Sequence, residues 1–115
     1  MHRKNLGASM IADPAHVDDL AVLIQALSSE SAKPVSAPIS LGHSLQECLP
    51  HVRAKLAGIW GAHDPASSPH MAERRAYLHS VAPDAPITVI DGASHWLQYE
   101  APERFNAALI DILDR

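Results

Sequence analysis

Two short apolar runs, Leu56-Ala57-Gly58-Ile59-Trp60 and Ile87-Thr88-Val89-Ile90, most constrain what this chain can become. Each has the length of a strand and is bounded by turn-forming residues. The first is almost continuously apolar, the pattern of a strand buried on both faces. Each is followed by a loop, Gly61–Pro65 after the first and Gly92–His95 after the second. Each loop leads into a helical pattern. Ser68–Pro69 opens a helix reaching about His79, with Met71, Leu78 and Val81 turned inward. Another begins near Ala101–Pro102 and carries Phe105, Ala108, Leu109 and Ile112 on one face. The order strand, loop, helix, strand, loop, helix predicts parallel strands joined by a right-handed crossover. The expected class is α/β.

The first half of the chain reads differently. All five aromatic residues, Trp60, Tyr77, Trp96, Tyr99 and Phe105, lie beyond residue 59, and aromatics supply much of a core's buried area. Asp13–Pro14 is a good helix opening, an N-cap followed by a proline at the first helical position. Val17, Leu20, Ala21, Ile24 and Leu27 then follow helical spacing as a narrow aliphatic stripe. The polar run Ser28–Pro34 is expected to break this helix, and a proline-punctuated extended stretch to lead on to Ser40. A short helix is expected from Ser44 to about Leu49, stopped by Pro50.

With 115 residues the chain makes one domain at most. Its net charge of −4 argues against nucleic acid or an acidic membrane as partner. Cys48 is the sole cysteine and forms no internal disulfide; it is expected to be a small buried residue, in a reducing, cytoplasmic setting. His2, Arg3 and Lys4 precede a mildly apolar stretch, but that stretch closes at Asp13–Pro14, too short and polar for a signal peptide. No apolar run approaches the ~20 residues of a membrane span.

Ligands of open parallel sheets bind beyond the carboxyl ends of the strands. Asp64 stands four residues after Trp60, and His95 four after Asp91, so both side chains are expected at that edge. A carboxylate that accepts the imidazole Nδ1–H leaves Nε2 as a general base and stabilises the imidazolium formed in a reaction. Asp64 also reads as a turn residue before Pro65, and His95 as a hydrogen-bonded loop histidine. Trp96 and Tyr99 read as packing residues, with Trp96 at the mouth of any pocket. His63, Asp64 and His70 lack the H-E-x-x-H spacing of zinc hydrolases, and Glu73, Arg74 and Arg75 read as a solvated helix face.

Ile59-Trp60-Gly61-Ala62-His63-Asp64-Pro65, with Asp91-Gly92-Ala93-Ser94-His95-Trp96-Leu97-Gln98-Tyr99-Glu100-Ala101-Pro102-Glu103-Arg104-Phe105-Asn106, resembles the C-terminal end of an α/β-hydrolase. In that family a strand ending in G-x-x-D carries the triad acid, and a glycine turn carries the triad histidine before the final helix. The resemblance implies a partial hydrolase sheet over residues 52–115, with Asp64 as acid and His95 as base. Residues 1–51 then correspond to the tail of a helical cap and a linker. The implied parent reaction is hydrolysis of an ester or carbon–carbon bond of a small organic substrate, with no cofactor or metal. The His95–Trp96 pair is similar to carbon–carbon hydrolases of the meta-cleavage type.

The family's nucleophile sits in a G-x-S-x-G elbow upstream of the acid, and this chain has none. Gly42-His43-Ser44-Leu45-Gln46 comes nearest, with Gln46 in place of the second glycine. Ser44-Leu45-Gln46-Glu47 reads more simply as a capping box at a helix start. The expectation is therefore a chain that holds half of a triad and is inactive alone. A truncated or split product that docks on another chain or on itself, and a shortened hydrolase using Ser44, are the alternatives.

Overall fold

The computed structural model describes residues 1–32 and 42–115. The predicted proline-rich stretch from residue 34 to 40 lies outside the described residues. Helices flank a two-stranded parallel sheet, the arrangement of an α/β chain. Strand β1 spans Gly58–Gly61 and β2 spans Ile87–Ile90, in register Gly58↔Ile87 through Gly61↔Ile90. β1 thus starts two residues later than its apolar run suggests and ends on Gly61. Its side chains are also less enclosed than expected, with Ile59 and Trp60 only half-buried. No third strand among the described residues covers either edge of the sheet.

Chain order places a short α1, His2–Asn5, first, continued by a wider turn over Leu6–Met10. A single 3-10 turn follows at Pro14–His16, and then α2, Asp19–Ser31. Asp13 caps only the turn, accepting the Ala15 N–H at 2.9 Å. Asp18 caps α2 itself, accepting the Ala21 N–H at 2.8 Å. The predicted single helix from Asp13 is therefore two elements, because two acidic caps five residues apart each satisfy their own orphan amides. α2 also continues through Ser28–Ser31, where a break was expected, since one turn of serines and Glu30 weakens a helix without terminating it. Of its aliphatic stripe only Ala21 is buried, while Leu20, Ile24 and Leu27 face solvent.

The short helix α3, Ser44–Cys48, runs into a 3-10 turn, Leu49–His51, that contains Pro50. The Ser44 capping box does not form. His43 holds the cap position, and its ring Nδ1 meets the Gln46 side-chain oxygen at 2.9 Å. Cys48 is exposed, contrary to expectation, because α3 is a short peripheral helix that buries none of its residues. The Tyr77 hydroxyl donates to the Gln46 carbonyl and ties α3 to α4, Met71–Val81. α4 buries Leu78, and leaves Met71 and Val81 half-buried.

After β2 a short α5, Leu97–Glu100, precedes α6, Pro102–Leu113. Among the described residues, two clusters make the core. Ile90, Ala93, Leu97 and Ala101 pack together with Ile59 and Phe105 on the sheet. Leu6, Ile11 and Ala21 form the other, with Val17, Trp96 and Tyr99 against them. On α6, Phe105, Ala108 and Ile112 are half-buried as the spacing suggests, but Leu109 is exposed. No helix among the described residues is long and apolar enough to cross a membrane.

Candidate active site

Parallel pairing of Gly61 with Ile90 makes both chains leave the sheet at one edge. Their loops are then laced together. The Ala62 N–H donates to the Ile90 carbonyl and the His63 N–H to the Ala93 carbonyl, each at 2.9 Å. The Ser94 hydroxyl donates back to the His63 carbonyl at 3.3 Å. Gly92 turns the second loop with φ +71°, a conformation glycine adopts without steric cost.

This lacing brings Asp64 and His95 into contact. The His95 Nδ1 lies 3.1 Å from the Asp64 Oδ2. Asp64 is at the same time the turn residue its position before Pro65 suggests: its Oδ1 accepts the Ala66 N–H at 2.8 Å. The Ser67 hydroxyl donates to Oδ2 at 2.9 Å. The two readings of Asp64 describe the two oxygens of one carboxylate. Its side chain is 7% exposed and that of His95 49%.

Burial works to raise the Asp64 pKa, but the hydrogen bonds from Ala66, His95 and Ser67 together hold it below its ordinary value of 3.8. The carboxylate is therefore ionised at neutral pH and can only accept, so in the neutral ring the proton stands on Nδ1. Nε2 of this half-exposed ring has no hydrogen-bond partner among the described residues. The depressed pKa also fixes a sign. Asp64 contributes stability that is complete above 3.8, the unfolded value, and lost as the pH falls through the lower folded value. The stability gap between wild type and Asp64→Asn, read from urea unfolding, should shrink as the pH falls below 3.8. A gap that stays constant over that range contradicts the assignment.

The remaining histidines near the edge make looser pairs. His63 Nε2 lies 3.8 Å from Asp91 Oδ1, and His70 Nδ1 lies 3.4 Å from Glu73 Oε2; all four side chains are well exposed. No group of three His, Cys, Asp or Glu side chains among the described residues is placed to hold a metal ion. Ser44 is exposed on α3, whose neighbour is α4, and no hydrogen bond among the described residues joins it to His95. Trp96 and Tyr99 sit in the second core cluster, their ring centroids 6.2 Å apart.

Three polar residues at the site are not evident from the sequence. Ser67 stands three residues after Asp64, a spacing at which a hydroxyl can meet a turn carboxylate, and that signal was available. Ser94 and Glu100 gave none, because their importance lies in long-range bonds. Glu100, 7% exposed, accepts the Ser94 N–H on Oε2 and the Ala12 and Asp13 N–H groups on Oε1.

No family model, curated protein or solved structure matches the chain. Any functional reading therefore rests on the residues themselves.

Proposed function

We propose that this chain supplies the acid–histidine part of a hydrolase of the α/β-hydrolase kind. His95 is the general base and proton shuttle, and Asp64 the acid that orients it. One observation carries the reading: a buried, ionised carboxylate holds Nδ1 of a half-exposed imidazole and leaves Nε2 open. Nε2 takes the proton of an attacking hydroxyl, Asp64 stabilises the imidazolium, and the proton passes to the leaving group. The substrate class is an ester or carbon–carbon bond of a small organic molecule.

The reading assigns the nucleophile and the oxyanion donors to polypeptide other than the residues described. Ser44 has less support as nucleophile, since its helix packs on α4 and the G-x-S-x-G turn is absent. The sheet edges, unpaired by any strand among the described residues, and the exposed Leu20, Leu23, Leu27, Ile110 and Leu113 are what a surface covered by further structure would present. The radius of gyration agrees, at 15.5 Å against about 13 Å for a compact domain of this length.

Ester turnover tests the proposal. With a p-nitrophenyl ester the 115-residue chain should be no faster than its His95→Ala variant, because no hydroxyl among the described residues is bonded to Nε2. A polypeptide that adds a G-x-S-x-G elbow, encoded upstream in frame or on a co-purifying chain, should gain turnover. His95→Ala should then remove that turnover by about 10⁴-fold or more. Unchanged turnover in that variant, or the lack of any such elbow, overturns the reading. A stoichiometric burst of p-nitrophenol from the 115-residue chain, lost in Ser44→Ala, reassigns the nucleophile to Ser44.

A further inference from the structure

We infer that Glu100, with residues 10–13 on which it closes, is a positioning device for the imidazole of His95. The inference rests on the reading of His95 as the base and adds a residue that never touches substrate. The geometry brackets His95 from both sides. Its predecessor Ser94 donates its N–H to Glu100 Oε2 at 2.6 Å. Its successor Trp96 donates its N–H to the Met10 carbonyl at 2.8 Å. Glu100 Oε1 then accepts the N–H groups of Ala12 at 2.6 Å and Asp13 at 3.1 Å. Both peptide neighbours of His95 are thereby anchored to one short stretch near the start of the chain.

The surroundings give the anchor its stiffness. Glu100 is buried, so its charge-assisted bonds face little competition from water. Ile11, between the two anchor points, is 1% exposed and packs with Leu6 and Ala21 against Trp96 and Tyr99. The segment cannot slide without opening that cluster. Glu100 sits at the end of α5, one turn beyond His95, where a carboxylate reaches back over the loop. Each of its three donors is a backbone amide, fixed in direction. A glutamine in its place keeps the shape but has one oxygen for two sets of donors, so it must abandon either Ser94 or the 12–13 pair.

The test reads the His95 ring nitrogens by ¹⁵N NMR on the full chain, with the amides of β1 and β2 as a check on folding. In wild type the neutral ring should carry its proton on Nδ1. Asp64→Asn is the reference for a lost partner, and if it leaves the tautomer unchanged the base reading itself fails. Glu100→Gln should lower the ratio of Nδ1–H to Nε2–H tautomer about tenfold, as for a weakened hydrogen bond, with the strand amides still protected. Ala12→Pro removes one donor without altering Glu100, and Ile11 already has the extended backbone that precedes proline, φ −129° and ψ 123°. It should move the ratio in the same direction.

Wild-type ratios in both folded variants, with Asp64→Asn shifted, overturn the inference and leave the base reading intact. Should either variant lose the strand amides, hydrogen exchange of wild type in rising urea decides the matter. The amides of Ala12, Asp13 and Ser94 should open together and take the His95 Nδ1–H signature with them. Survival of that signature after the Ala12 and Asp13 amides have exchanged also overturns the inference.

Discussion

Replacing Gly61 by alanine is expected to separate Asp64 from His95 and to lower stability by about 1–3 kcal/mol. Gly61 ends β1 at the point where the two loops are laced. A Cβ there would lie 2.2 Å from the Ser94 carbonyl oxygen and 2.5 Å from that of Ala93. Both are backbone atoms, so no side-chain rotation relieves the clash, and the 93–95 loop must move. Its movement strains the His63–Ala93 bond and the Ser94–Glu100 bond, and draws the imidazole away from the carboxylate. Gly7 serves as control, since nothing lies within 4 Å of a Cβ built there. Gly7→Ala should be neutral or gain up to about 1 kcal/mol, as usual for alanine in a helical turn. Urea unfolding measures both, and the His95 nitrogen signals report the pair. Equal midpoints for the two variants contradict the account of Gly61.

Leu6→Ala carries the second large effect, a loss of about 2–5 kcal/mol, the range of a fully buried leucine cut to alanine. Leu6 is 0% exposed, and it and Ile11 are the two largest fully buried side chains among the described residues. With so few enclosed large residues among those described, the fold depends on each. Total stabilities of small domains are about 5–15 kcal/mol, so this one truncation can consume much of the whole. Loss should reach beyond α1, because Trp96 and Tyr99 share the cluster and Trp96 adjoins His95. The check is urea unfolding followed by Trp fluorescence together with the strand amides. A midpoint shift worth less than about 1 kcal/mol shows that the cavity collapses or that the segment contributes little.

The C-terminal half was legible because its signals are local. The second strand, the proline-opened final helix and the glycine turn before His95 fall where the sequence places them, and β1 is displaced only to Gly58–Gly61. Spacing puts Asp64 and His95 at one edge, since parallel strands send their following loops there, while the wording of the two loops singles this pair out among eight histidines. What misled was also local. Asp13–Pro14 and Ser44–Glu47 have the right residues for helix starts, yet Asp18 and His43 hold the cap positions beside them. The role of residues 2–11 was not legible, for a physical reason. Leu6, Met10 and Ile11 are too sparse to announce a core, and the aromatics that bury them come 85–93 residues later along the chain. Glu100 escaped similarly, because a lone glutamate in a polar turn shows nothing of the amides that will meet it.

The bond between Ala12 and Glu100 spans 88 residues of chain, and that span bears on how the protein is made. Synthesis proceeds at about 5–20 residues per second, so roughly 4–18 s pass between the making of Ala12 and that of Glu100. Throughout that interval Leu6 and Ile11 have neither Trp96 nor Tyr99 to cover them. Residues 6–13 are therefore made seconds before the residues that cover them. Over that time they are an uncovered apolar segment of the kind that chaperones shelter.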